Sequence, residues 1–199
     1  MKVIGLTGGI ASGKSTVSQI LKSLCAYVVD ADLLAHEIYE NDTVLFQKLV
    51  ETFGTSILSN DQQHIDRKKL GEIVFKDTEK RKLLESLVHP AVRKAILHKI
   101  KEAGKLNHQL CIVDAALLVE TGFYKYYDGL IVVKATPEQQ FQRLKLRNAL
   151  SDEEIRERLN SQAPLEEKLK VADWVIDNSS TLDKTEKQVR DLYTLLSKI

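Results

Sequence analysis

The stretch "GLTGGIASGKSTV", residues 5–17, joins two different periodicities. Before it runs "KVIGL", short and apolar like a buried strand; after it, "VSQILKSL" sets apolar residues at helical spacing. The join contains Gly8-x-x-x-x-Gly13-Lys14-Ser15, a phosphate-loop pattern in the strand-to-helix setting that gives it meaning. Glycine at both ends lets backbone amides turn inward around phosphate oxygens. Lys14 can reach β- and γ-phosphates, the Ser15 hydroxyl can ligate Mg²⁺, and the helix adds unpaired amides and its positive end. Nucleoside triphosphate binding follows, with kinase, ATPase and GTPase not separated by this pattern alone. A guanine-reading Asn/Thr-Lys-x-Asp element is missing from the late segment "WVIDNSST", which favours a small-molecule phosphotransferase.

Apolar runs at Lys2–Leu6, Ala26–Val29, Leu110–Val113, Leu130–Val133 and Trp174–Ile176 read as buried strands, mostly Val- and Ile-rich rather than alternating. Helical patterns separate them, so the class is α/β, with a five-stranded parallel sheet flanked by helices. The 199 residues suffice for one well-buried core with an inserted subdomain. Charge is balanced, 29 Lys plus Arg against 28 Asp plus Glu, which gives no reason to expect a nucleic-acid or membrane partner. Cys25 and Cys111 sit beside and inside apolar runs and read as two buried thiols of a reducing compartment. Neither a secretory leader nor a run long enough to span a membrane is present, so a cytoplasmic enzyme is expected.

About 80 residues separate the second and third strands, too many for an ordinary crossover. Helical stretches at Leu33–Tyr39, Val44–Phe53, Arg67–Phe75, Glu79–Leu87 and Ala91–Ala103 make this a helical insert, with a polar turn at residues 59–66. His89-Pro90 reads as a boundary between the last two helices, since the residue before proline is pushed out of the helical region. After the fourth strand, Thr136 and Pro137 open a helix, and Ser151 with Glu154 forms a capping-box pattern for another. These helices carry Arg143, Arg147, Arg156 and Arg158, and a helix over Leu182–Leu196 closes the chain. The core thus comprises residues 1–31, 106–136 and 171–199, the insert 32–105, and a lid 137–170.

Asp30 and Asp32, in "VVDAD", follow the second strand at the carboxyl edge where open α/β sheets bind ligands. Asp32 is the candidate that orients an acceptor hydroxyl and takes its proton; simple helix capping is the competing reading. Asp114, at the end of the third strand, could serve the metal's water shell, the acceptor, or the strand end alone. Asp30 could support metal-bound water or hold its turn, and Glu120 could anchor the loop after the third strand. Arg143 and Arg147 share a helix face, and Arg147, at the helix end, is the candidate to reach across the site or stack on adenine.

The ordered set "LTGGIASGKSTV", "VVDADLLAHEI", "IDRKKLGEIVF", "LLESLVHPAVR", "ALLVE", "QFQRLKLR" and "RLNSQAPLEEKLKVADWVIDN" resembles the dephospho-coenzyme A kinase family nearly end to end. The resemblance implies a P-loop kinase fold and transfer of the ATP γ-phosphoryl to the ribose 3′-hydroxyl of dephospho-coenzyme A, with Mg²⁺. It implies catalytic roles for Lys14, Asp32 and Arg147, and ATP contacts from Gly9, Ile10, Ala11, Ser12, Gly13, Lys14, Ser15, Thr16, Arg147 and Asn178. Acceptor contacts would come from Asp32, Arg67, His89, Asp114 and Leu118, with an architectural role the alternative for Arg67 and His89, and the metal would lie on Ser15 with water-mediated help from Asp30 or Asp114. No obligate protein partner is implied. One loop departs from the family pattern: "DAALLVE" has Ala116 where proline is usual and Val119 where an aromatic is usual, predicting a less rigid loop with a smaller ligand surface. A nucleoside- or nucleotide-type kinase and an ATP-binding module without transfer activity are the competing classes, separated by acceptor dependence.

Overall fold

The computed structural model describes residues 1–148 and 151–197, with the backbone alone at Glu40, Phe75, Arg147 and Asn148. Strand β1 (Lys2–Gly8) leads into helix α1 (Lys14–Ser23), then β2 (Tyr27–Asp30), α2 (Ala31–Asn41), α3 (Thr43–Phe53), α4 (Arg67–Phe75) and α5 (Thr78–Lys105). The chain continues through β3 (Leu110–Asp114), β4 (Gly129–Lys134), α6 (Pro137–Asn148), α7 (Asp152–Asn160), α8 (Leu165–Lys170), β5 (Trp174–Asp177) and α9 (Leu182–Ser197). It divides into two compact units, residues 1–30 with 100–199, and residues 31–99.

The first unit holds a parallel sheet in the order β2-β3-β1-β4-β5. Ile4 and Leu6 of β1 join Ile112, Ile131, Val133 and Ile176 on one face, where Val17 and Leu21 of α1 and Val189, Leu192 and Leu196 of α9 cover them. The α9 residues recur at helical spacing, so one stripe enters the core while the polar remainder stays outside. Gly5, between Ile4 and Leu6, points to the opposite face, where a Cβ would stand 3.0 Å from both Leu118 Cδ1 and Leu130 Cδ1. Both faces of β1 are therefore packed, which is why its sequence runs apolar without alternating.

Local signals set many boundaries. The Asp42 carboxylate accepts from Leu45 N at the start of α3, and Asp66 accepts from Lys68 N and Lys69 N at the start of α4. Thr136 and Gln139 exchange side-chain-to-backbone bonds at α6, and both bonds of the Ser151–Glu154 capping box are formed at α7. In the second unit, Leu58 and Ile65 form an antiparallel bridge that closes the polar turn, and α2, α3 and α4 bury Ile38, Leu45, Leu49, Leu70 and Val74.

Two expectations are corrected. His89-Pro90 is not a helix boundary: α5 runs through Pro90. Val88, Val92 and Ile96 are buried at four-residue spacing across the proline, so one apolar stripe keeps its helical phase, and its packing offsets the roughly 3 kcal/mol that proline costs inside a helix. Cys25 is exposed, unlike buried Cys111. It occupies the left-handed position (φ 69°) that ends α1, with Ala26 N bonded to Leu21 O behind it, and this Schellman-type stop turns the thiol away from the core.

Candidate active site

The turn between β1 and α1 is left-handed at Ala11 (φ 55°) and Gly13 (φ 95°), the alternation that curls successive amides into an anion-binding concavity. Glycine is required for space as well as for torsion. A Cβ on Gly8 would lie 2.6 Å from Val133 O, and one on Gly13 would lie 1.9 Å from Asn178 Nδ2.

The outward carbonyls of this loop are held by side chains from distant parts of the first unit. Asn178 Nδ2 donates to Ser12 O at 2.8 Å, while Asn178 Oδ1 accepts from Thr185 Oγ1 at 2.9 Å. The Arg143 guanidinium donates to Ala11 O and Ser12 O at 3.2 Å each and to Asn178 O at 3.0 Å. Gln140 Nε2 donates to Ile10 O at 2.7 Å. With its carbonyls tied back, the loop is pre-organised to offer amides to an anion. Beside it opens a cleft of about 350 Å³ lined by Ala11, Gly13, Ser15, Thr16, Arg143, Asn178, Ser180 and Leu182.

Lys14 Nζ is ion-paired with Asp114 Oδ1. Asp114 is the last residue of β3 and stands opposite Asp30 of β2 in register, so two acids share the carboxyl edge of the sheet. Asp114 is buried, Asp30 exposed. Burial pushes the Asp114 carboxyl above its ordinary range, opposed by the Lys14 charge and by hydrogen bonds from Lys14 and Ser18, and the Asp30 charge pushes it further up. The paired strand ends place the oxygen donors of Asp30 and Asp114 side by side, a chemistry that fits the water shell of a Mg²⁺ ion. Among the described residues no cluster of three or more His, Cys, Asp or Glu side chains could hold a metal by itself.

The loop after β3 is pinned. Thr7 Oγ1 donates to Ala116 O at 3.0 Å, and Lys168 Nζ, fully buried, donates to Ala116 O at 3.2 Å and Glu120 Oε1 at 2.7 Å. Glu120 is thus an anchor, as its position suggested. The two bonds on the Ala116 carbonyl restrain the loop that lacks the proline. Leu118 is only 2% exposed and packs beneath β1; its neighbour Leu117 is the exposed member of the pair.

In the second unit, Asp32 is exposed and lies in the first turn of α2, which begins at Ala31. One turn on, His36 Nδ1 contacts an Arg67 guanidinium nitrogen. Arg67 also stands 6.0 Å from the centre of the Tyr39 ring, whose phenol is pushed up by burial and pulled down by that cation. His89 is half-buried on α5. The Arg147 side chain lies outside the described residues; Arg156 and Arg158 are exposed on α7.

A family model described as dephospho-CoA kinase matches residues 2–184. This chain belongs to the dephospho-CoA kinase family. It is 46% identical over 198 residues to the dephospho-CoA kinase of Aquifex aeolicus, covering 100% of this chain and 99% of the relative. A crystal structure from Thermus thermophilus superposes with a TM-score of 0.84 at 35% identity, covering 98% of this chain and 97% of the other. Dephospho-CoA kinase from Campylobacter jejuni superposes at 0.75 with 34% identity and the same coverage. The reaction of this kinase is ATP-dependent phosphorylation of dephospho-CoA to CoA, the final step of CoA biosynthesis.

Several residues that shape the site carry no individual sequence signal. Gln140, Gln162 and Lys168 act on backbone groups or on a partner far away in sequence, and Arg143, read as a lid arginine, clamps the phosphate loop. All four lie within the blocks "QFQRLKLR" and "RLNSQAPLEEKLKVADWVIDN" on which the resemblance rests.

Proposed function

We propose that this kinase moves the ATP γ-phosphoryl group to the ribose 3′-hydroxyl of dephospho-CoA, with Gly9–Thr16 enclosing the triphosphate. Lys14 exchanges Asp114 for β- and γ-phosphate oxygens as ATP enters. Ser15 would be the direct ligand for Mg²⁺, with Asp30 and Asp114 helping through water, and the metal would supply neutralisation of phosphate charge.

Asp32 holds the acceptor hydroxyl and receives its proton. The 3′-oxygen forms the new bond to Pγ, the bond from Pγ to the β,γ-bridging oxygen breaks, and that electron pair leaves with ADP. Arg67, His89, Asp114 and the loop containing Leu118 serve the acceptor, so residues 32–105 are the acceptor-binding part. Asn178 borders the nucleotide, and residues 137–170 form a lid rooted on the phosphate loop by Gln140, Arg143 and Gln162, from which Arg147 closes over the phosphates and excludes water. The enzyme works in the cytoplasm with ATP and dephospho-CoA and needs no protein partner. No helix among the described residues is long and apolar enough to cross a membrane.

The observation that carries this reading is the tied-back loop with Lys14 ion-paired to a buried acid at the sheet edge. Coupled measurement of ADP release with and without dephospho-CoA tests it. Release should require that acceptor, and nucleosides or nucleoside monophosphates should not replace it. Acceptor-independent release at the same rate would identify an ATPase instead.

A further inference from the structure

One amide of the phosphate loop already has a partner. Ile10 N donates to Gln162 Oε1 at 2.8 Å, and Gln162 lies just beyond α7. The next residue grips a different loop: Ala163 N donates to Glu120 Oε1 at 3.0 Å. Lys168, on the following helix, reaches the same Glu120 oxygen and the Ala116 carbonyl. The short segment from Gln162 to Lys168 therefore holds both the apex of the phosphate loop and the loop that follows Asp114, the partner of Lys14.

Lys168 is fully buried, and its pair with Glu120 is a poor choice if stability were the only requirement. Taking the Lys168 ammonium out of water costs several kcal/mol even with the partly exposed Glu120 carboxylate beside it, and an apolar residue of similar volume often serves the fold as well or better. What the ion pair supplies is direction: the ammonium fixes a carboxylate oxygen and a carbonyl oxygen at once, and the same carboxylate oxygen fixes the Ala163 amide. Gln162 carries that fixed position to Ile10. The Ile10 carbonyl is separately held by Gln140, so the peptide groups on both sides of the Ile10 α-carbon are set by side chains.

We propose that Gln162 and Lys168 are positioning residues that act as one strut, setting the phosphate-loop apex relative to the loop that carries on from Asp114. This rests on the reading of the loop as the ATP site. A displaced apex misaligns the transferred group without removing any contact charge, so the transition state suffers more than ground-state ATP binding.

The test uses the full-length enzyme with Gln162→Ala, Lys168→Met and the double variant. Glu120→Gln replaces Lys168→Met in the cycle if the methionine variant does not fold. Melting temperature, directly measured ATP affinity, kcat and KM are followed. Gln162→Ala, at a half-buried site, should lower kcat by roughly 10-fold or more while ATP affinity changes by less than about 3-fold and the fold is retained. The double variant should lose no more kcat than the worse single variant, as residues acting as a unit do. Near-parental kcat in Gln162→Ala, multiplying losses in the double variant, or parallel loss of stability and activity in Gln162→Ala would overturn the strut. Acceptor-dependent ADP release by the parent, and its loss in Lys14→Ala, check the underlying reading separately; without them both fall.

Discussion

Lys14 and Asp114, one hundred residues apart in sequence, form an ion pair at the carboxyl edge of β1 and β3. Burial outweighs the lysine in the balance on Asp114, whose carboxyl is held above its ordinary range. With the folded value raised, the native state binds the extra proton, so this residue's contribution to stability is fullest below the ordinary carboxylate range. It is lost as pH rises through the folded value. Asp114→Asn should therefore melt no lower than the parent at pH 7–8, and the difference should shrink as pH falls towards about 4. Melting curves across this range check the sign; a variant less stable than the parent at neutral pH but not at pH 4 would reverse it. Turnover should fall in the same variant, since it lacks a carboxylate beside Asp30.

Lys14→Ala should keep the fold but lose some stability, because it leaves the buried Asp114 carboxyl without its cation. Turnover should drop by at least about 100-fold, as expected when a preorganised charge at the transferred group is removed. A folded variant with near-normal turnover would contradict the assignment.

Asp32→Asn separates chemistry from helix stability. Asp32 sits within the first turn of α2, where losing a negative charge costs about 0.3 to 1 kcal/mol through the helix dipole. If it takes the hydroxyl proton, turnover at saturating substrates should fall by roughly 100-fold or more while ATP affinity holds. Turnover near the parental value, with the variant folded, would reject the base role.

Gly13→Ala should disable ATP binding for two reasons, the added Cβ 1.9 Å from Asn178 Nδ2 and the left-handed torsion of 95°. Adding Asn178→Ala removes the collision but not the torsional strain. The double variant should then lose less stability than the two single losses combined. Additive losses measured by denaturant titration would show that Asn178 does not set the space above Gly13.

Cys25→Gly should raise stability by between about 0 and 1 kcal/mol, since glycine accepts the left-handed torsion but adds freedom to the unfolded chain. Native-state labelling at pH 8 should modify one thiol in the parent and none in this variant. Burial pushes the Cys111 thiol up to about 12, so rapid labelling at Cys111 would disprove its seclusion.

Whatever depends on neighbours in sequence was legible in the sequence. Val- and Ile-rich runs gave the strands to within two residues at most ends, and Thr136, Ser151 and Glu154 marked helix starts through bonds that span three residues. The phosphate loop was legible because its glycines, lysine and serine act where they stand. Pro90 misled because the stripe through Val88, Val92 and Ile96 is a tertiary cause acting against a local preference. Cys25 misled because an apolar neighbourhood says little about a residue whose torsion turns it outward. The supports of the loop, Gln140, Arg143, Gln162 and Lys168, meet backbone groups or a carboxylate dozens to more than a hundred residues away, and no short-range spacing encodes such meetings.

The order of strands in the sheet also governs when the nucleotide loop can form during synthesis. Among the described residues β1 pairs with β3 and β4 alone, and its first partner residue, Leu110 opposite Lys2, is made after the whole helical unit. At about 5–20 residues per second, the first strand waits roughly 5 to 20 seconds on the ribosome without a strand to pair with. Residues 31–99 form a compact unit of their own and can condense in that interval, whereas β1 must close a loop of more than a hundred residues. An apolar strand left unpaired for that long is an aggregation hazard, so the first seconds of this kinase's life are the period in which a chaperone has most to protect.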